Sequence, residues 1–180
     1  MLRLGYAAVI SILVFSGMEA YRIQGVASEQ HVGIYRQYVK QDEAVSRLRR
    51  INWLTGNYVR DYFLSANPDR SANLRAQIQD LKTQSLQAFG DLEQVNTGDS
   101  SVLSLKVKLR EYWAKLEPIP KSMAAIGAPV AYQFIQHEVV PRRSRISDIL
   151  RQISDKAQAT LQKQELEFTG KRHDAVRRLL

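Results

Sequence analysis

Apolar residues recur along most of the chain in alternating steps of three and four, the spacing of a helix face that packs in a bundle. The first series of positions consists of Ile34, Tyr38, Gln41, Val45, Leu48, Asn52, Thr55, Val59 and Tyr62. Its three polar members weaken an apolar seam, but they can form hydrogen bonds across it. The pattern predicts a long helix that ends in the break at residues 66–71, because the residue before Pro68 disfavours helical geometry.

Two shorter series follow and predict a helical hairpin. Their members are Leu74, Ile78, Leu81, Ser85, Ala88, Leu92 and Val95 in the first, and Val102, Leu105, Leu109, Tyr112 and Leu116 in the second. The intervening break at residues 96–100 contains Gly98, which suits a helix end, and Asp99, which suits the cap of the next helix. The break at residues 117–121 contains Pro118 and Pro120.

The last series indicates another long helix. After a weaker helical pattern that Gly127 and Pro129 interrupt, we expect a break at residues 140–141, with Pro141 in the first turn of the next helix. The series then runs through Ile146, Leu150, Ile153, Ala157 and Thr160. No alternating strand pattern is present. The predicted fold is all-α, an antiparallel up-down-up-down four-helix bundle with an N-terminal transmembrane helix.

The N-terminus carries an uncharged stretch, residues 4–18, after Arg3. Fifteen residues are few for a bilayer that needs about 20, so a cleaved signal peptide and a buried core helix are alternatives. The first lacks a good cleavage site at Met18-Glu19-Ala20, and the second lacks a polar stripe. We favour an uncleaved transmembrane signal-anchor at residues 1–21, with residues 22–180 as an extracytoplasmic domain.

Two strings resemble a known family. Val59-Arg60-Asp61-Tyr62-Phe63-Leu64 and Glu138-Val139-Val140-Pro141-Arg142-Arg143 are similar to segments of the extracytoplasmic four-helix-bundle sensor domains of bacterial methyl-accepting chemoreceptors and membrane sensor histidine kinases. The resemblance implies a periplasmic sensor of the inner membrane, often a homodimer, followed by a second membrane helix and a signalling module. Because the sequence stops at Leu180 without them, we expect a fragment of a longer receptor; a stand-alone bundle is the alternative.

Composition narrows the classes of function. The formal charge is +8, and there is no cysteine, which excludes a disulfide framework and a thiolate metal site. Basic residues are spread over all the predicted helices without a recognition motif, so we expect them to solvate outer faces and do not expect nucleic-acid binding.

Candidate chemistry is sparse. His31, His137 and His173 lack partners at the spacing of metal ligands, and no phosphate loop or catalytic motif occurs. We therefore expect neither a metal, nor a cofactor, nor a catalytic residue, nor an enzyme.

Three arginines are the candidate ligand-binding residues. In an antiparallel arrangement of the first and last helices, Arg60 would lie near Arg142 and Arg143, and converging guanidinium groups can bind a small anionic ligand bidentately. The alternative is that Arg60 pairs with Asp61 or with an acidic residue of a neighbouring helix, while Arg142 and Arg143 are solvated. The sequence thus favours a membrane-anchored sensory input domain of a signal-transduction receptor over a stand-alone bundle with a structural or adaptor role.

Overall fold

A computed structural model describes the backbone of residues 2–117 and 128–179, and the side chains of residues 32–117 and 129–170. Within these residues the chain is helical and contains no strand. The elements are α1 (Leu2–Leu64), α2 (Pro68–Val95), α3 (Ser100–Leu116), α4 (Ala128–Phe134), a π-helical segment (Ile135–Val139) and α5 (Val140–Leu179). The all-α prediction is therefore confirmed.

The chain divides into two compact units, residues 1–37 and 38–180. The predicted membrane anchor belongs to the first unit, and it lies outside the residues whose side chains are described. Across the side chains that are described, no helix combines the length and the apolar character needed to cross a bilayer. The candidate sites below belong to the second unit.

Local sequence explains where the helices of the second unit begin. The Asn67 side chain caps α2 by accepting hydrogen bonds from the Asp69 and Arg70 amides at 2.9 and 3.2 Å. Asp99 caps α3 by accepting from the Ser101 amide at 2.7 Å. The intervening turn needs Gly98, whose φ of +80° lies in the left-handed region that other residues avoid. These caps satisfy backbone donors that a helix start leaves unpaired.

No break interrupts the helical structure at residues 140–141, where one was expected; the helix changes from π to α between Val139 and Val140 instead. Helical structure runs from α4 through the π-helical segment into α5, with Pro141 at the second position of α5. Proline has no amide hydrogen, and its ring clashes with the carbonyl four residues earlier in an α-helix. That residue is His137, which lies within the π-helical segment, where the wider turn relieves the clash.

The core follows the predicted spacing. All positions of the first series from Val45 to Tyr62 are buried, and so are the predicted positions of α3. On α5 the series stays buried only as far as Ile153, and Thr160 is exposed. Lys156 contacts Asp99, at the turn that joins α2 and α3. Beyond that level the hairpin no longer covers α5, so its later apolar positions leave the core.

Candidate functional site

A set of polar contacts joins α1 to α5, and we call it the α1–α5 seam. The Asn52 side-chain amide donates to the Arg143 carbonyl at 3.0 Å and to Ser147 Oγ at 2.9 Å. In return, Arg143 Nε donates to the Asn52 carbonyl at 2.8 Å. Asn52 is only 7% exposed. Reciprocal contacts of this kind fix the axial position of one helix against the other, since sliding either helix breaks all three bonds.

Gly56 makes room for this arrangement. The Arg143 guanidinium lies over Gly56, in the space that a β-carbon would occupy at that position. Arg143 Nη2 reaches the Trp53 carbonyl at 3.4 Å as well. Glycine therefore serves here as a close-approach residue, which allows an arginine of α5 to lie against the backbone of α1.

Two further side chains of α1 extend the seam. Arg49 Nη2 donates to the Leu150 carbonyl at 3.3 Å, and Gln41 Nε2 donates to the Ile153 carbonyl at 3.5 Å. These distances are longer than those at Asn52, so the strongest part of the seam lies around Asn52 and Arg143. Thr55 is fully buried but donates to the Ile51 carbonyl of its own helix at 2.7 Å.

The three arginines expected to hold an anion have separate partners. Arg60 is 59% exposed and pairs with Asp61 at 3.4 Å. Arg142 pairs with Glu138 at 2.8 Å, and Lys115 approaches the same carboxylate at 3.4 Å. Arg143 belongs to the seam. Among the contacts of the described residues, none joins Arg60 to either of the other two.

Tyr112 of α3 places a buried hydroxyl within reach of the positive charge of Arg143. Its side chain is 1% exposed, and its hydroxyl has no hydrogen-bond partner among the described residues. Burial raises the pKa of Tyr112 well above its usual value, and the Arg143 cation offsets part of that rise. The hydroxyl therefore remains protonated throughout the neutral range.

A small cavity of about 30 Å³ lies between the last turns of α1 and α3 and the first half of α2. We call it the Tyr62 cavity. Its polar lining consists of Tyr62, Arg75, Gln79, Lys82, Trp113 and Glu117. The apolar side chains of Ile78 and Leu116 complete its walls.

The groups in this cavity are only partly paired. The Tyr62 hydroxyl is buried without a hydrogen-bond partner among the described residues. Burial raises the pKa of Tyr62, and the neighbouring Arg75 cation lowers it in part. Lys82 and Glu117 are 4.0 Å apart, at the limit of an ion pair. The Trp113 indole is fixed by its hydrogen bond to Ser85 Oγ at 3.3 Å.

Metal chemistry has no support in the described part of the chain, where no group of three histidine or acidic side chains has the arrangement of a metal site. Of the three histidines, His137 is exposed, while His31 and His173 lie outside the side chains described.

Comparisons with known proteins do not assign a family. No family model, curated protein or solved structure matches the chain. The two sites therefore rest on their own geometry.

Sequence reasoning did not single out the Tyr62 cavity. A signal was nevertheless present, because Arg75, Gln79 and Lys82 recur in steps of four and three directly beside the apolar series of α2. Such a stripe borders the core and places polar groups at its edge. Tyr62, which lines the same cavity, was predicted to be a core residue. A prediction of burial does not reveal that the Tyr62 hydroxyl lacks a hydrogen-bond partner.

Proposed function

We propose that this chain is the membrane-anchored sensory input domain of a bacterial signal-transduction receptor of the histidine kinase or chemoreceptor type. The observation that carries the proposal is the α1–α5 seam. A seam of part-buried, reciprocal polar contacts has discrete registers. A small sliding of one long helix against another is a known means of transmitting a signal.

The arrangement proposed for the domain is an antiparallel up-down-up-down four-helix bundle. Contacts in the seam support it, because Gln41, Arg49 and Asn52 on α1 meet successively earlier residues on α5. The hairpin contacts support it as well. Ser85 meets Trp113, whereas the later Glu93 meets the earlier Lys106. Arg47 of α1 pairs with Asp91 near the end of α2 at 2.7 Å, as expected for neighbours of opposite direction.

The free-energy cost of breaking the polar contacts in the seam is suited to a displacement between two states. A purely apolar contact between helices tolerates several registers with similar free energies, because hydrophobic burial is not directional. Buried polar groups cost free energy in every register that leaves them unpaired, about 1–3 kcal/mol for each group. Asn52 and Arg143 therefore confine the helices to few positions, which is the condition for a two-state displacement.

The proposed location follows from the N-terminal pattern. Residues 4–18 are uncharged, and Arg3 precedes them, which favours a cytoplasmic start and a periplasmic domain in the inner membrane. Fusion of alkaline phosphatase, which is active only after export, behind residue 180 tests this topology. We expect an active, membrane-associated phosphatase. An inactive fusion, together with an active cytoplasmic reporter at the same position, would overturn the proposed location.

The sensory role is tested with a chimera. The chain is fused in frame to the second membrane helix and kinase-controlling module of a bacterial chemoreceptor, and kinase output is measured in membranes. We expect Asn52→Leu, which removes the central side chain of the seam, to shift kinase output at least several-fold. Leu86→Gln changes an exposed residue of α2 outside the seam and serves as the control. Equal output from all three proteins would contradict a signalling role and favour a structural one.

A further inference from the structure

We propose that the Tyr62 cavity binds the carboxylate group of a small organic acid, with Arg75 and Lys82 supplying positive charge and the Tyr62 hydroxyl a hydrogen bond. The inference rests on the proposed sensory function and names the ligand chemistry of that function. It places the ligand away from Arg60, Arg142 and Arg143.

The charges of the cavity favour an anion. Two cations and one carboxylate line it, and among the ion pairs of the described residues none involves Arg75. Within the described residues, the only carboxylate that pairs with Lys82 is that of Glu117, at 4.0 Å, and the Glu117 side chain is itself 68% exposed. A guanidinium without a carboxylate partner, at the edge of a core, offers the planar fork that binds a carboxylate bidentately.

The Tyr62 hydroxyl supplies the second, independent observation. Tyr62 is 1% exposed, and its hydroxyl is buried without a partner among the described residues. A buried hydroxyl without a partner costs free energy, so native proteins rarely retain one unless a water or ligand binds it. The nearby positive charge of Arg75 makes an anionic acceptor the partner best suited to this donor.

The size of the cavity selects among anions. Its volume of about 30 Å³ is room for roughly two water molecules by the usual measure of about 10–15 Å³ each. The two oxygens of a carboxylate correspond to two such positions, whereas phosphate or sulfate would place further charged oxygens against the apolar side chains that line the cavity. Ile78 and Leu116 provide an apolar wall for a short aliphatic tail. Acetate and propionate are therefore the probes of choice.

A ligand in this cavity would contact the same helix as the seam. Tyr62 lies ten residues after Asn52 on α1, about 15 Å along the axis at the usual rise per residue. The other lining groups lie on α2 and α3. Binding would thus tie the end of α1 to the hairpin and bias the register of the seam.

Tryptophan fluorescence gives a direct test. The chain has two tryptophans, Trp113 in the wall of the cavity and Trp53, whose side chain is 61% exposed. In the Trp53→Phe background, the emission of the full chain in detergent reports on Trp113 alone. Sodium acetate and propionate are titrated at constant ionic strength, with chloride, phosphate and methylammonium in parallel.

We expect a saturable change with acetate and propionate and none with the other three ions. Tyr62→Phe and Arg75→Gln should each weaken the binding of propionate at least tenfold. Arg110→Gln removes the same charge from an exposed position of α3 outside the cavity and should change affinity less than twofold. If Arg75→Gln fails to fold, as judged by circular dichroism, the nearly isosteric Tyr62→Phe variant decides alone.

Saturable binding that is insensitive to Tyr62→Phe would overturn the assignment, and so would an equal response to phosphate or chloride. This outcome differs from failure of the proposed function. Propionate binding with an unresponsive chimera would retain the site and refute the sensory role. A chimera sensitive to Asn52→Leu, without carboxylate binding, would refute the site alone.

Discussion

Replacement of Gly56 by alanine tests whether the Arg143 guanidinium is fixed against α1. A β-carbon at Gly56 would occupy the position of the Arg143 guanidinium. Arginine is flexible and can move aside, but it then loses its hydrogen bonds to the Asn52 and Trp53 carbonyls. The change therefore converts a steric conflict into the loss of polar contacts between α1 and α5.

Two opposing contributions determine the size of the effect. Alanine stabilises a helix interior by about 1 kcal/mol relative to glycine. A hydrogen bond from a charged donor contributes about 1.5–3 kcal/mol, and the 2.8 Å bond from Arg143 to Asn52 is the main one lost. We expect Gly56→Ala to lower the free energy of unfolding by about 0.5–2 kcal/mol. For a chain of this size, that is equivalent to a midpoint of thermal unfolding lower by roughly 1–8 °C.

Thermal unfolding of the full chain, followed by circular dichroism, measures this effect against a matched control. Gly90 lies within α2, where an added β-carbon meets no atom within 4 Å, so Gly90→Ala should raise the midpoint. In an Arg143→Ala background the conflict is absent, and Gly56→Ala should stabilise as well. An increase of the midpoint by Gly56→Ala in the otherwise unaltered chain, equal to that of Gly90→Ala, would refute the fixed position of Arg143.

Three further substitutions are informative. Tyr62→Phe removes a buried hydroxyl without a described partner and should raise the free energy of unfolding by about 1 kcal/mol in the absence of ligand. Tyr58 is half-buried, and Tyr58→Phe should change the free energy of unfolding by less than about 0.5 kcal/mol. Hydrogen bonds from Lys156 and from the Ser101 amide hold the pKa of Asp99 below its ordinary value of 3.8. Because the folded pKa is lowered, the ionised carboxylate stabilises the fold above the unfolded pKa, and this stabilisation disappears as the pH falls through the folded value. Asp99→Asn should thus lower the midpoint of thermal unfolding at about pH 7 and have little effect near about pH 2. Asn52→Leu should leave the free energy of unfolding unchanged or higher, since a polar residue at a seam position stabilises one register at a cost in overall stability. A decrease of more than about 2 kcal/mol would show that Asn52 serves stability instead.

The helical secondary structure and most of the core were predictable because they depend on the local spacing of apolar residues. The series on α3 is buried at each predicted position from Val102 to Leu116, since a helix between two neighbours buries one continuous stripe. The caps at Asn67 and Asp99 were equally local features. Burial of the later part of α5 was not predictable in this way. It depends on how far the hairpin extends beside α5, and the spacing of Ala157 and Thr160 carries no information about that distance.

The polar members of the first series show where prediction from a single sequence ends. Gln41, Asn52 and Thr55 occupy equivalent positions of the first series. Among the described contacts, Thr55 donates to its own helix, while the other two donate to α5. The difference arises from side-chain length and from the residue opposite. A threonine hydroxyl readily reaches the carbonyl four residues earlier, whereas an amide extends far enough to cross to a neighbouring helix. The return bond from Arg143 Nε to the Asn52 carbonyl depends on Gly56, because a side chain there would displace the Arg143 guanidinium. The contact therefore requires three residues together: the buried Asn52, Gly56 one turn later, and Arg143 of the other helix. Of these three residues, only Asn52 belongs to the first series. The spacing of apolar positions therefore predicts where Asn52 lies, but it does not predict the contact with Arg143 that defines the role of Asn52.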